Sequence, residues 1–248
     1  MVGTVIAKVS GASGGATLAV EGGTSSTTYE LSKTDGAAGE FLKTDGSGAL
    51  SFEAIASSGF NSVQTISSSG TWTKPVGVGI TKILVFITGG GGGGMYRTGD
   101  GGHGGGAAAT AIKLIDVTSV ASVSVTIGTG GAGGSSSDPY NAPAGGASAF
   151  GVAPATVHCT AGGGGATSGT GVPGPGGTAT GGDVNLVGGG GAYNLGGASF
   201  WGNGTNSRYS GAYLSPLANG IYGSGGGGAR GAASGSGGDG FCLVLEFK

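Results

Sequence analysis

The stretch "ITKILVFITGGGGGG", residues 80–94, runs a β-strand straight into six glycines. Ile83, Val85 and Ile87 alternate with Leu84 and Phe86, so both faces of the strand are apolar and burial on both sides is expected. The glycines continue. In "GGGGGGMYRTGDGGHGGG", residues 89–106, twelve of eighteen positions are glycine, broken by Met95, Tyr96, Arg97, Thr98, Asp100 and His103. A flexible linker would be padded with serine, and a nucleotide-binding loop needs far fewer glycines. Each glycine costs about 0.5–1 kcal/mol more to order than alanine, so an ordered region of this kind needs a compensation that only glycine provides. Close backbone packing is one. Extended glycine segments of polyproline-II type have three residues per turn and no internal hydrogen bonds. Packed side by side they hydrogen-bond to one another and satisfy the backbone. The segment is thus expected to be two extended arms with "MYRTGD" as the exposed turn between them.

Glycine is unevenly distributed over the 248 residues: 14 of the 65 fall in residues 1–88 and 51 in residues 89–248. The shift places a boundary near residues 70–88, and the expected domains are 1–69 and 70–248. There is no strict Gly-X-Y period, and only 7 prolines, which excludes collagen. Charged residues make up 9% and the formal net charge is −2, too near neutral for electrostatic binding to nucleic acid or an anionic membrane. No apolar run approaches the roughly 18–20 residues of a membrane span, and the N-terminus lacks the pattern of a signal peptide. The two cysteines, Cys159 and Cys242, are too few for a disulfide framework and read as buried free thiols.

Further strands follow from alternation. In "ASVSVTIG" (121–128), Val123, Val125 and Ile127 alternate with Ser122, Ser124 and Thr126, which gives one core face and one polar face. "AAATAIKLIDV" (107–117), for which a short helix is the alternative, "ATVHCTA" (155–161) and "GFCLVLEFK" (240–248) add candidates, and "FNSVQTISSSG" (60–70) reads as a polar stretch. Nearer the N-terminus, "ATLAV" (16–20) and "TTYEL" (27–31) are strand-like. "EFLKTDGSGALSFEAI" (40–55) reads as a hairpin turning at Asp45–Gly46. Its strands are too short to bury much alone, so a slender element of this kind needs identical neighbours. The expected fold class is all-β: a C-terminal β-sandwich with polyglycine-II-like excursions, preceded by a hairpin-rich segment.

"GTWTKPVGVGITKILVFITGGGGGG", "VSVTIGTGGAGG", "GGASAFG", "CTAGGGG" and the closing "GGDGFCLVLEF" occur in that order over residues 70–248. Together they resemble the glycine-rich C-terminal domain of bacteriophage tail-fibre proteins, and "LKTDGSGALSF" looks like the short units of phage fibre shafts. The resemblance implies a non-enzymatic adhesin at a fibre tip, in an intertwined or side-by-side homotrimer. It implies binding of a bacterial surface glycan or outer-membrane protein, association with other tail-fibre or baseplate proteins, no cofactor, and a place on the virion after assembly in the host cytoplasm. A tail-associated polysaccharide depolymerase and a structural or ice-binding glycine-helix bundle are the alternatives.

Candidate receptor contacts concentrate in residues 192–223, which hold six of the chain's aromatic side chains. Tyr193, Asn194, Trp201, Asn206, Arg208, Tyr209 and Tyr213 combine aromatic faces with amide and guanidinium donors, a set that suits sugar rings and protein contacts. The competing reading is that these rings, Phe200 and Trp201 above all, pack a small core under a long loop or pack between subunits. Tyr96, Arg97 and Tyr140 are expected on further tips between glycine runs. No catalytic or metal-binding set is expected. His103 and His158 form no HExxH pattern, and no two carboxylates beyond residue 89 lie closer than seven positions apart. The match of Gly128, Gly130 and Gly133 to a GxGxxG pattern is expected by chance in so glycine-rich a chain.

Overall fold

The computed structural model of the chain describes residues 4–9, 16–21, 28–30, 37–47, 50–54, 59–98, 101–135, 141–152, 158–167, 171–206, 208–210, 213–215 and 219–248. All regular elements among them are β-strands. Two units divide the chain, Met1–Ser58 and Gly59–Lys248. In the first, β1 (Thr4–Val9), β2 (Ala16–Glu21) and β3 (Thr28–Glu30) form an antiparallel sheet. A hairpin joins β4 (Glu40–Thr44) to β5 (Leu50–Ala54). Gly46 has φ +81°, the left-handed conformation its Asp-Gly turn requires.

The second unit contains β6 (Phe60–Ile66), β7 (Gly70–Thr73), β8 (Lys82–Thr88), β9 (Tyr96–Arg97), β10 (Thr110–Asp116), β11 (Ser122–Thr126) and β12 (Ser148–Phe150). It continues with β13 (Cys159–Ala161), β14 (Ala179–Thr180), β15 (Val184–Leu186), β16 (Arg208–Ser210), β17 (Tyr213–Ser215), β18 (Ala229–Arg230) and β19 (Phe241–Phe247). Two five-stranded sheets, ordered β15-β10-β8-β19-β6 and β14-β13-β12-β11-β7, face each other as a sandwich. Ile83, Val85, Ile87, Cys242 and Val244 of one sheet meet Trp72, Val123, Val125, Phe150 and Cys159 of the other in the buried core.

The expected boundary at residues 69 and 70 falls after β6, which belongs to the second unit and pairs antiparallel with β19. The inner face of β6 is mostly polar: Ile66 packs against the core, but Ser62 and Gln64 turn inward to the carboxylate of Glu246. Strand β8 is buried on one face only. Its residues Leu84 and Phe86 lie on the outer face of the sheet and are half-buried. In β19, likewise, Phe241, Leu243, Leu245 and Phe247 face outward, while Cys242, Val244 and Glu246 fill the core.

Beyond the sandwich the strands continue as extended glycine segments. Strand β8 leads into 89–95, and 102–109 leads back into β10; 128–134 leaves β11, and 142–146 returns to β12. The amides of 89–95 go to three neighbours in strict rotation. Gly89, Gly92 and Met95 donate to Ala109, Gly106 and His103; Gly90 and Gly93 to Gly146 and Pro143; Gly91 and Gly94 to Gly238 and Gly235. That three-residue period is the signature of polyglycine-II packing. The carbonyls of Gly90, Gly91 and Gly92 accept from three other segments, through Gly164, Gly131 and Gly226.

Segment 89–95 is therefore ringed by six others: 102–109, 162–167, 142–146, 128–134, 234–240 and 223–229. Each is hydrogen-bonded to the next, so the ring closes. Segment 102–109 is the centre of a second ring, made by 89–95, 162–167, 173–178, 187–192, 195–198 and 223–229. Its amides rotate with the same period. Gly104 and Ala107 donate to Ala192 and Gly189, Gly105 and Ala108 to Gly226 and Gly223, Gly106 and Ala109 to Gly165 and Gly162.

This lattice explains the composition. A Cβ on Gly89 would stand 2.7 Å from the carbonyl oxygen of Gly162, and those on Gly90 to Gly94 would meet neighbouring carbonyls more closely still. Side chains are admitted on the outer segments, three residues apart: Thr129 and Ala132 on one, Pro175 and Thr178 on another, all exposed. Some outer side chains take over amides that have no backbone partner. Gly130 donates to Asp239 Oδ1 at 2.7 Å and Gly133 to Ser236 Oγ at 3.1 Å.

Candidate functional site

The bundle has two ends. At the sandwich end Trp201 Nε1 donates to Thr88 Oγ1 at 2.8 Å, and Thr88 Oγ1 lies 2.7 Å from Thr110 Oγ1. The Trp201 ring meets Phe200 edge-on at 4.9 Å and Phe241 at 5.4 Å, and the Tyr222 ring lies tilted against Phe241 at 4.6 Å. Phe200 also stacks on Phe86 at 6.1 Å. These rings cover the start of the outer sheet face, which is the packing role weighed against receptor contact for Phe200 and Trp201. Eight residues of extended chain, about 25 Å at ~3.1 Å per residue, separate Thr88 from Tyr96 at the far end.

Turns of the glycine segments gather at that far end. Strand β9 pairs in parallel with β18, matching Tyr96 to Ala229 and Arg97 to Arg230. Tyr96, expected at the surface, is buried at 7% exposure, as is Met95 at 0%, because both turn inward as Ala229 does. Arg97 and Arg230 are partly exposed. Tyr193 is 55% exposed, yet its hydroxyl is held by the Gly101 amide at 2.8 Å and its ring meets the edge of His103 at 5.8 Å. Asn194 adopts φ +60° and donates its amide to Gly102 at 2.9 Å. Asn206 is exposed and bridges Leu195. The hairpin of β16 and β17, which carries Arg208, Tyr209 and Tyr213, lies beside β18. Tyr140 lies outside the described residues.

The structure thus brings Arg97, Tyr193, Asn194 and Asn206 and the backbone of Arg208, Tyr209 and Tyr213 to one end, and places Trp201 at the other. Two residues that the sequence reading did not put in the site are there. Arg230 hides inside the glycine tract 225–231, and its place follows from a two-residue parallel pairing that no local pattern announces. His103 was weighed only as a metal ligand. Burial first, and then the neighbouring Arg97, holds its pKa below the usual histidine value. Its Nδ1 and the Oδ1 of Asn194 are buried without hydrogen-bond partners. Gly171 (φ +80°) lies against both side chains: a Cβ there would stand 3.4 Å from His103 Nε2 and 3.9 Å from the guanidinium nitrogens of Arg97.

His158, by contrast, lies at the sandwich, with Nε2 2.9 Å from Thr160 Oγ1. Among the described residues no three His, Cys, Asp or Glu side chains converge as a metal site would require.

The family described as a glycine-rich domain matches residues 63–245, from β6 into the last strand. The chain belongs to the glycine-rich domain family. No curated protein matches it. The matched residues include both sheets and the bundle, so the glycine-rich domain is one unit in which the sandwich roots the segments and the far end carries their turns.

Proposed function

We propose that this glycine-rich domain is the receptor-binding tip of a bacteriophage tail fibre, a non-enzymatic adhesin. It would be assembled in the host cytoplasm, carried on the virion, and directed at a glycan or outer-membrane protein of the bacterial surface. One observation carries the reading: a closely hydrogen-bonded lattice built mainly of glycine delivers turns bearing Arg97, Tyr193, Asn194, Asn206 and Arg230 to a single end. Loops on a rigid scaffold are where binding residues concentrate. The order of motifs shared with phage fibre tips supports the same conclusion.

A homotrimer is part of the proposal, and the outer face of one sheet supports it. Leu114, Leu84, Leu245 and Val63 are register partners across four strands of the β15-β10-β8-β19-β6 sheet, an unbroken apolar row. The other sheet shows Thr126, Ala149, Thr160 and Thr180 in the matching row of its outer face. A second copy of this chain is the occupant proposed for the apolar face. Light scattering should give three times the 22.9 kDa chain mass, and a monomer would overturn the assembly. For the adhesin, purified chain should bind bacteria of a susceptible strain and block phage adsorption to them. Tyr193→Ala should weaken both, and adsorption unchanged by added chain would overturn the reading.

A further inference from the structure

Among the described residues the formal charge at the far end is carried by arginine. The chain's three arginines, Arg97, Arg208 and Arg230, all belong to segments that end there, whereas Lys74, Lys82, Lys113 and Lys248 belong to the sandwich. Arg97 and Arg230 are register partners in parallel strands, so their side chains leave the same face, about 4.8 Å apart at the backbone. Tyr96 and Ala229 occupy the opposite, buried face. Like charges placed directly opposite each other destabilise a strand pair. No carboxylate among the described residues relieves the repulsion, since the ion pair found there, Lys43 with Glu53, belongs to the other unit.

The surroundings carry other stability costs. Asn194 is a non-glycine residue in the left-handed region, and its Oδ1 and His103 Nδ1 are buried and unpartnered. Each such group is a net cost to the folded state. Costs of this kind gather where binding, rather than stability, shapes the surface. Gly171, lacking a side chain, lets its backbone lie close against Arg97 and His103. Tyr193 offers a half-exposed ring fixed at both its hydroxyl and its edge.

We propose that Arg97 and Arg230 together hold an oxyanion, the phosphate or carboxylate of an acidic surface sugar, with the ring of Tyr193 against the sugar's apolar face. Two guanidinium forks side by side suit such a group, because each can donate two parallel hydrogen bonds to its oxygens. A rigid tyrosine face beside them supplies the apolar contact a pyranose ring requires. The assignment rests on the adhesin reading only for what carries the sugar.

The test uses the full chain, titrated by calorimetry with glucose 6-phosphate, glucuronate and glucose. At least one of the two acidic sugars should bind saturably, with glucose at least about tenfold weaker; which of them binds separates phosphate from carboxylate. Arg97→Gln and Arg230→Gln should each weaken binding about tenfold or more, and Lys82→Gln should leave it unchanged. In the unaltered chain, the Nε–H signals of Arg97 and Arg230 should shift with added inorganic phosphate, which keeps the question answerable if a variant misfolds. Equal binding of glucose and the acidic sugars, absence of saturable binding, or indifference to both arginine substitutions would overturn the site. Adsorption to bacteria that survives both substitutions removes the anion site and leaves the adhesin. Saturable sugar binding by a chain that adsorbs to no strain does the reverse.

Discussion

Trp72 Nε1 donates a hydrogen bond to Glu246 Oε1 at 2.9 Å, joining the tryptophan of "GTWTKP" to the last strand across 174 residues. The same carboxylate accepts from Gln64 Nε2 at 2.7 Å and Ser62 Oγ at 2.5 Å. Both Trp72 and Glu246 are fully buried. A buried carboxylate is tolerated only when its oxygens are occupied, and here three donors from β6 and β7 occupy them. The network ties together the two sheets. Replacing Glu246 by leucine strands the Trp72 donor in the core, and should lower stability by about 2–4 kcal/mol. Glu246→Gln, which keeps an acceptor for Trp72, should cost less. Urea unfolding followed by tryptophan fluorescence checks both.

The same substitution at two glycines should have opposite effects. An alanine at Gly92 would drive its Cβ into the carbonyl of Gly165 inside the first ring, and should cost about 3 kcal/mol or more. At Gly190 the nearest atom to a Cβ is the Gly174 oxygen at 3.8 Å, an ordinary contact. Alanine there should stabilise by about 0.4–1 kcal/mol through the unfolded state. Thermal unfolding of the two variants would show the opposed shifts. Equal effects would mean that side-chain space does not set the composition.

Both cysteines are free and buried. Burial pushes the Cys159 thiol up to about 11, and Cys242, more deeply buried and close enough to Cys159 to feel it, higher still. The thiolate is the reactive form. Neither residue should react with Ellman's reagent at pH 8 while the chain is folded, and both should react after denaturation. Rapid labelling of the native protein would contradict the packing of the sandwich core.

His103 should titrate below the ordinary histidine value of about 6.5, because burial and then Arg97 disfavour its charged form. Its folded pKa lies below the unfolded one, so the unfolded chain binds the proton more readily. Stability is therefore lost as pH falls from about 6.5 toward the folded pKa, and above that window the histidine costs nothing. Among the described residues, Arg97 and Tyr193 face it. An NMR titration of the ring protons should show the lowered midpoint, and Arg97→Gln should raise it.

The sandwich was legible wherever one face of a strand is apolar and the other polar. Val123 and Val125 enter the core as their alternation with serine demands. Strand β6 was not legible, because two of its inward residues, Ser62 and Gln64, are polar and serve Glu246. Strand β19 shows the opposite difficulty: Phe241, Leu243, Leu245 and Phe247 read as a core face but lie outside. The glycine segments were legible as a class, since only close backbone packing accounts for so much glycine. Their arrangement was not, because glycine carries no side chain to say which neighbour it meets. For the same reason Arg230 could not be placed at the far end from its glycine surroundings, whereas the aromatic and amide side chains of 192–206 declared themselves.

The rotation of amides in 89–95 and 104–109 has a consequence for how such a protein can change. Each amide finds its partner only because the third residue along returns to the same direction. One or two extra residues inside a central segment would turn every later amide by about a third or two-thirds of a revolution, onto the wrong neighbour. Three extra residues would restore the phase and lengthen the bundle by one turn. The turns at the far end obey no such arithmetic, so they are free to vary in length and content while the interior counts in threes.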